Sequence, residues 1–438
     1  MIRKSYTPTE IITAIDLGSS HCRTLIAQHD PSTHHLKIMG VGNIPTKGVR
    51  RSNIVNLEEA TATLENSLAA AEKICGTHIE NVYLSISGQH ISSQNSSGVA
   101  VVLDANEEIT ESDIDRAIES ARAVSLPADR EILNLTPRFF TVDGQDGIRD
   151  PMGMVGTRLE VDIHLIIASS SAIRNAEKAL SDVGLTKEGF VFSGYAASEV
   201  ILTEAEKEAG AVCIDIGSDT TSFCAYVDGA IQYSGVIPIG GRYVSQDINA
   251  YTHIGIDNAE RLKLQLSEDN NSPTPQQPNE SREEYRRRIK NADLINLSQY
   301  DPNIKPGSIS RSTLVRSVIV PRLKEIFSLV HDQLQHQQLC DKLGAGAVIV
   351  GGGAKTVALV ETATRTLGMQ VKIGVPTGVE GVIKHINDPI YATAVGLLQF
   401  AVREQQPRPA EQSKTTPQTS ALDKLWHQIG NSFKNIMP

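Results

Sequence analysis

One five-residue pattern, which occurs twice, constrains the fold of this chain more than any other feature. Ile15-Asp16-Leu17-Gly18-Ser19 returns 199 positions later as Ile214-Asp215-Ile216-Gly217-Ser218. Each copy follows a short apolar run and precedes a β-rich one, which is typical of a β-hairpin with a glycine-bearing turn. Such a turn presents backbone N–H groups to an anion, and its aspartate can hold Mg²⁺ through water. The repeat therefore predicts two related domains that grip one nucleotide between them.

The composition is that of an ordinary soluble protein and argues against nucleic-acid binding. With 438 residues, 40% hydrophobic and 21% charged, the chain has room for two or more domains. The net charge of −10 leaves no dominant basic face for a nucleic acid. The one basic cluster, Arg286-Arg287-Arg288 with Lys290, follows two glutamates and is predicted to be a solvated helix face.

Cysteine usage and hydropathy predict a cytoplasmic protein. The five cysteines are scattered and form no C-x-x-C pair, which is typical of reduced thiols. No run of about 18 apolar residues occurs, so no membrane span is expected. The polar segment 1–10 lacks the apolar core of a signal peptide.

The first half of the chain contains a segment whose predicted secondary structure differs from that of its surroundings. Strands are predicted at 11–17, 22–29 and 36–43, followed by an amphipathic helix at 57–75. The next segment, about 83–163, mixes several predicted strands with one helix. We expect this segment to form a small inserted subdomain.

Two further predictions concern the second half. Residues 267–281 are rich in Asn, Pro, Gln and Ser and are typical of a mobile loop, whereas 312–339 is predicted to be one long helix. A strand at 347–350 leads into Gly351-Gly352-Gly353, which is expected to open another helix. Glycines let a ligand approach the backbone and a helix N-terminus favours phosphate, although glycines at such turns often serve packing alone. The order of this motif after the two hairpins favours the ligand.

The last segment is predicted to be an amphipathic helix behind a flexible, proline-containing linker. Its apolar face would carry the membrane-binding residues Leu422, Leu425, Trp426, Ile429, Phe433, Ile436 and Met437, with Lys424 and Lys434 on the polar face. Such a helix suits a membrane interface, and the alternative is a helix docked on the protein's own core. A single short helix would bind lipid weakly, whereas many copies on a polymer would bind strongly.

Three motifs resemble those of the superfamily of actin, heat-shock-70 proteins and sugar kinases. They are Asp16-Leu17-Gly18, Asp215-Ile216-Gly217 with Thr220, and Val350-Gly351-Gly352-Gly353-Ala354. Within it, the chain resembles the FtsA family of bacterial cell-division proteins. The segments that carry this closer resemblance are Gly40-Val41-Gly42 with Gly48-Val49, Val82 to Ile91, and Tyr391 to Leu398.

The resemblance implies an α/β fold of two duplicated actin-like (ribonuclease H-like) domains, with an inserted small subdomain and a C-terminal amphipathic helix. The implied boundaries are 1–82 and 164–206 for domain I, 83–163 for the insert, 207–243 and 315–402 for the core of domain II, 244–314 for its small subdomain, 403–420 for the linker and 421–438 for the membrane-targeting helix.

The resemblance also implies ATP and magnesium between the two halves. The implied nucleotide-binding residues are Asp16, Gly18, Ser19, Ser20, Asp215, Gly217, Ser218, Thr220, Gly240, Gly241, Glu260, Lys263, Gly351, Gly352, Gly353 and Ala354. Asp16 and Asp215 would hold magnesium through water, and Glu260 and Lys263 would flank the adenosine. No catalytic residue is assigned.

By the same resemblance, the protein would polymerise at the inner face of the cell membrane and anchor FtsZ filaments of the Z ring at mid-cell. Its partners would be the C-terminal peptide of FtsZ, further copies of itself, later divisome proteins and lipid. The FtsZ peptide would dock around 244–314, and the insert would contact divisome proteins and the neighbouring protomer. The alternatives are a sugar-kinase-like phosphotransferase and a pilus-assembly adaptor with the same fold.

Two residues depart from the resemblance. The second hairpin reads Gly217-Ser218-Asp219-Thr220, where the family usually carries more glycine. Asp219 would place a negative charge near the phosphates and weaken nucleotide binding unless its side chain points away or joins the metal site. Ser193 stands where many superfamily hydrolases have a Glu or Gln that positions water. We therefore expect nucleotide binding with slow or absent hydrolysis.

Overall fold

A computed structural model describes residues 10–30, 35–104, 106–268, 276, 280–302, 304–305, 307–381 and 386–405. The first part of the chain forms β1 (Glu10–Leu17), β2 (His21–Asp30), β3 (His35–Pro45), β4 (Val49–Arg50), β5 (Asn53–Ile54), α1 (Leu57–Cys75) and β6 (Asn81–Ile86). The insert forms β7 (Ser92–Val101), α2 (Glu111–Arg122), β8 (Arg130–Val142), β9 (Gln145–Ile148) and β10 (Arg158–Ser169). The chain then returns through α3 (Ser170–Asp182), β11 (Thr186–Phe192), α4 (Ser193–Ile201) and α5 (Glu204–Ala209).

The second half repeats the opening pattern of three strands and then becomes mainly helical. It forms β12 (Ala211–Ile216), β13 (Thr221–Val227), β14 (Ala230–Ile237), α6 (Gly241–Thr252), α7 (Ile256–Glu268), α8 (Arg282–Ala292), β15 (Leu294–Asn296), β16 (Ser308–Ser310), α9 (Arg311–Leu314), α10 (Val320–His336), β17 (Gly346–Val350), α11 (Leu359–Leu367), β18 (Val371–Ile373), β19 (Val379–Gly381) and α12 (Ala392–Gln405). The tail 421–438, and the linker beyond Gln405, lie outside the described residues.

The two large sheets have the same topology, which confirms the predicted duplication. In the first sheet the strand order is β11-β6-β1-β2-β3-β19, and in the second it is β14-β13-β12-β17-β18. In each sheet three consecutive antiparallel strands are followed by two parallel ones beside the first strand. The fold is therefore α/β with two actin-like lobes, each built around one hairpin of the repeated sequence pattern. Strand β19 comes from the second half of the chain but completes the sheet of the first lobe.

Helices α4 and α12 cross between the lobes at a glycine. A Cβ atom on Gly396 of α12 would lie 1.9 Å from the carbonyl oxygen of Ala196 in α4. Any larger residue would push the helices apart, because the atom it would meet belongs to the backbone and not to a flexible side chain. The glycine thus allows the two helices to touch directly.

The insert has its own sheet, in the order β7-β10-β8-β9, and its own apolar core with α2. It also covers one sheet edge of each lobe with polar side chains. The buried Asn134 side chain accepts from Phe192 N at 2.9 Å and donates to Phe190 O at 3.3 Å, so it satisfies the backbone of the edge strand β11. On the other lobe, Ser93 exchanges hydrogen bonds with Ser234 N and O of the edge strand β14.

One prediction of local structure needs correction, and another is confirmed. The long helix predicted at 312–339 is interrupted by a π-helical turn at Val315–Ile319 and ends at His336. Pro321 lies at the start of α10 and has no N–H to donate to the preceding turn, which accounts for the irregularity. The basic cluster does lie on an exposed helix, α8, as predicted.

We predict that Asn134→Ala will lower the free energy of unfolding by about 2 to 4 kcal/mol. The substitution leaves a buried N–H and a buried C=O of β11 without partners, and each such group costs about 1 to 3 kcal/mol. Urea denaturation of the full chain measures the change. Asn66→Ala is the matched control, because the Asn66 side chain is exposed and bonds only within α1. Equal effects of the two substitutions would contradict this role for Asn134.

Candidate functional site

A cavity of about 570 Å³ lies between the two lobes. Most of the residues that the sequence analysis assigned to a nucleotide line it: Asp16, Gly18, Ser19, Ser20, Asp215, Gly217, Ser218, Thr220, Gly241, Glu260, Lys263, Gly351, Gly352 and Gly353. Of the other two, Ala354 is fully buried, and Gly240 packs closely against the carbonyl oxygens of Gly217 and Ser218. The fold therefore brings both hairpins and the later glycine turn to one cleft.

The two hairpin turns are closed by the amides of their own glycines. Gly18 N donates to His21 O at 3.2 Å, and Gly217 N donates to Thr220 O at 2.9 Å. These two N–H groups are therefore not available to an anion, which corrects part of the predicted role of the turns. The hydroxyl groups of the turns, which also face the cleft, are the more accessible donors.

Two partly buried aspartates, one from each lobe, share the cleft. Asp16 Oδ1 accepts from Ser85 Oγ at 2.8 Å, and Asp215 Oδ2 accepts from Thr393 Oγ1 at 3.1 Å. Burial raises the pKa of Asp16, an effect that Arg23 and the Ser85 hydroxyl oppose. Burial and the nearby charge of Asp16 raise the pKa of Asp215 to about 7. The charge of Asp16 therefore makes ionisation of the Asp215 carboxyl less favourable.

At neutral pH, this pair of carboxylates is better suited to a cleft that holds a divalent cation than to a cleft that holds none. A cation would offset both the desolvation and the mutual repulsion of the two charges. The described residues include no group of three or more His, Cys, Asp or Glu placed to hold a metal. Mg²⁺ suits such a site, since it commonly keeps several waters and uses one or two carboxylates together with substrate phosphates.

The two residues predicted to flank an adenosine contact each other. Lys263 Nζ lies 2.8 Å from Glu260 Oε2 and donates to Gly241 O at 3.1 Å. Ser245 of α6 also hydrogen-bonds to Glu260. Lys263 is 7% exposed, and its ammonium group mainly stabilises the packing of the start of α6 against α7.

The glycine turn after β17 differs from its prediction in one respect. Gly352–Lys355 is a short 3₁₀ helix, and α11 begins only at Leu359, so the glycines do not open a full helix. Gly351 has a φ of 84°, and a Cβ atom there would lie 2.2 Å from Asp215 Oδ1. A Cβ on Gly352 would meet nothing within 4 Å, which leaves this side of the turn open to the cleft.

Several cleft residues were missed by the sequence analysis: Arg23, Ser52, Ser85, Ser87, Ser222, Arg242, Lys355 and Thr393. Arg23 could have been found, because it is the direct cross-strand partner of Asp16 in the predicted hairpin. Its Nη1 lies 3.9 Å from Asp16 Oδ2, and its Nε is buried with no hydrogen-bond partner among the described residues. Arg23 is therefore a cation with unused donor capacity in the cleft.

Asp219 and Ser193, the two residues that depart from the expected family pattern, have well-defined contacts. Asp219 points away from the cavity: its Oδ1 lies 2.8 Å from Arg242 Nε, and its Oδ2 accepts from Arg51 N at 3.0 Å. Ser193 faces the cleft within a row of hydroxyls, with Oγ–Oγ distances of 3.3 Å from Ser193 to Ser222 and 3.0 Å from Ser222 to Ser87. A row of serines supplies no carboxylate at the Ser193 position to orient water.

The described part of the chain contains no helix that is both long enough and apolar enough to cross a lipid bilayer. The membrane-binding residues predicted between Leu422 and Met437 lie outside the described residues.

Comparison with solved structures agrees with the actin-like class that the duplicated lobes and their cleft define. A PilM–PilN type IV pilus biogenesis complex matches 91% of this chain and 100% of its own at 16% identity, with a TM-score of 0.60. MreB5 of Spiroplasma citri bound to ADP matches 89% and 96% at 14% identity, with a TM-score of 0.51. At these identities the likeness concerns the fold alone.

Sequence comparison narrows this class to one family. The model of the cell division protein FtsA matches residues 212–396, and the model of the SHS2 domain inserted in FtsA matches 88–167. Cell division protein FtsA of Borreliella burgdorferi is 32% identical over 90% of this chain and 92% of its own length. The corresponding protein of Neisseria meningitidis is 30% identical over 96% and 98%. The chain belongs to the FtsA family of cell-division proteins.

We predict that Asp215→Asn will raise the thermal unfolding midpoint at pH 8 in the absence of divalent cations. In the wild type, folding raises the pKa of Asp215 to about 7, so the folded state loses stability as the pH rises from about 4 to 7. The uncharged amide avoids this loss, and the gap between variant and wild type should close near pH 4.

Thermal scans across this pH range, with and without Mg²⁺, measure the gap. Asp332→Asn, at an exposed position of α10, is the control for a general charge effect. A constant difference between Asp215→Asn and the wild type at every pH would contradict the prediction.

Proposed function

We propose that this protein binds ATP and Mg²⁺ in the interlobe cleft and acts in cell division as a nucleotide-dependent adaptor. The observation that carries the proposal is the meeting of two related hairpins, one per lobe, at one cavity that contains Asp16 and Asp215. The cavity volume falls within the range of small-molecule sites, roughly 300 to 1,000 Å³. Proteins of the same fold have been solved with ADP and with AMPPNP.

The phosphate side of the cleft offers the donors that a triphosphate needs. Ser19 and Thr220 bring hydroxyls from opposite lobes, and Arg23 adds a guanidinium group beside Asp16. Charge-assisted hydrogen bonds of this kind are about twice as strong as neutral ones. When bound, Mg²⁺ would neutralise phosphate charge, with Asp16 and Asp215 holding its water ligands.

The residues near Ser193 favour slow or absent hydrolysis. General base catalysis needs a group of suitable pKa within hydrogen-bonding reach of the attacking water. The hydroxyl groups of Ser87, Ser193 and Ser222 orient one another but are poor bases at neutral pH. We infer that nucleotide occupancy, rather than turnover, is the useful state of the protein.

The adaptor role extends the family membership to this chain's own partners. We propose that it polymerises on the inner face of the cell membrane at mid-cell, recruits later divisome proteins, and tethers FtsZ through the FtsZ C-terminal peptide. The lipid anchor would be the amphipathic segment 421–438, with Trp426 on its apolar face. Polymerisation would multiply a weak single-helix affinity, so assembly and membrane binding would reinforce each other.

We predict that Arg23→Met will weaken ATP binding by roughly 10-fold. The substitution removes the cation whose buried Nε has no partner, and a hydrogen bond to a charged group contributes about 1.5 to 3 kcal/mol. Isothermal titration with ATP and Mg²⁺ measures the change. Arg365→Met, whose exposed ion pair with Glu361 lies on α11, controls for the loss of one surface charge. Unaltered affinity in Arg23→Met would remove Arg23 from the phosphate site.

We predict that the Trp426→Glu, Ile429→Glu double variant will not recruit FtsZ to vesicles. Two charges on the predicted apolar face oppose insertion into the lipid interface, while the two lobes and the insert keep their sequence unchanged. Co-sedimentation with anionic vesicles, with and without ATP, should show FtsZ pelleting with the wild type only. Ser432→Glu, on the polar face, is the matched control. Vesicle binding by the double variant would count against an anchor at 421–438.

A further inference from the structure

An ion pair within the second lobe lies beside the hairpin turns of the cleft, between Asp219 and Arg242. Asp219 lies in the turn between β12 and β13, and Arg242 is the second residue of α6. The Asp219 side chain is 8% exposed and the Arg242 side chain 40%. Arg242 lines the cleft, whereas Asp219 is not among the described residues that line it.

Both members of the pair also contact the first lobe. Arg242 Nη2 donates to Ser19 O at 3.3 Å, and its Nε donates to Ser218 Oγ at 3.2 Å. Asp219 Oδ2 accepts from the amide of Arg51, which lies in the two-residue turn between β4 and β5. The pair thus links the first hairpin, the second hairpin and the β4–β5 turn.

The β4–β5 turn depends on these contacts. Arg51 and Ser52 have φ values of 48° and 59°, a left-handed conformation that two-residue turns usually build from Asn and Gly. Ser52 N donates to Ser19 Oγ at 2.8 Å, and Ser52 Oγ lies 2.9 Å from Thr220 Oγ1. The turn is therefore held from both lobes at once.

We propose that Asp219 and Arg242 form a charge-compensated tie that positions the two phosphate hairpins for nucleotide binding. Arg242 neutralises the Asp219 carboxylate and holds it turned toward Arg51. Arg242 is a positioning residue in this role. The effect of the ion pair on nucleotide binding rests on the proposed function.

Neutralisation of Asp219 by Arg242 can be distinguished from direct phosphate binding by Arg242, because the two roles predict different effects of a second substitution at Asp219. Without Arg242, the Asp219 carboxylate loses its cation one residue away from the cleft-lining Ser218 and Thr220, and like charges at short range would lower the affinity for a phosphate ligand several-fold to many-fold. If Asp219 is neutral as well, that repulsion disappears. A second substitution should therefore restore what the first one removes.

The test is a double-mutant cycle on ATP affinity, measured by titration with Mg²⁺ present. We expect Arg242→Ala to bind ATP about 10- to 100-fold more weakly than the wild type. Asp219→Asn alone should bind at least as tightly as the wild type, and the double variant should return to within about fivefold of it. Arg242→Lys, which keeps the charge but not the three contacts, should fall between the wild type and Arg242→Ala.

Equal weakness of Arg242→Ala and the double variant would overturn the proposal, because Arg242 would then act directly on the ligand. An unaltered affinity in Arg242→Ala would overturn it too. If the wild type itself binds no ATP, the proposed function fails, and the tie is then judged by the same cycle on thermal unfolding. There, the double variant should be more stable than Arg242→Ala, and additive effects would refute the tie.

Discussion

Two partly buried carboxylates from different halves of the chain share one cavity, and their repulsion is the constraint on which the remaining cleft chemistry depends. Asp16 and Asp215 each lie one residue before the end of corresponding strands of two sheets with the same topology, so the duplication itself brings them together. Ser85 and Thr393 each donate to one of them, and Arg23 lies beside Asp16. These contacts reduce the cost of burial without removing it, and a cation would remove more of it.

The same duplication explains the cleft, which is formed by equivalent turns of the two lobes. Each sheet has its hairpin turn at the same end of its first strand, and the helices α4 and α12 cross between the sheets at Gly396. The phosphate side is then assembled from turns that belong to both lobes. The β4–β5 turn, in which neither central residue is glycine, keeps its left-handed conformation through contacts to both.

Much of this fold could be predicted from the sequence, because hairpin and helix periodicities are local. The repeated Ile-Asp-x-Gly-Ser pattern indicated both hairpins, and helix α1 begins and ends as the apolar spacing predicted. The pairing of Asp219 with Arg242 could not be predicted, since it joins a turn to a helix 23 positions away through three-dimensional packing. The 3₁₀ helix after Gly351 was also missed, because a glycine run after a strand looks the same before either kind of helix.

The insert is attached at two places that belong to different lobes. Asn134 secures it to the edge strand β11 of one lobe through two bonds in a buried setting, whereas Ser93 and Asn95 reach the edge strand β14 of the other. If the lobes swivel apart, a rigid insert cannot keep both attachments. The tilt of the insert would then report the angle between the lobes.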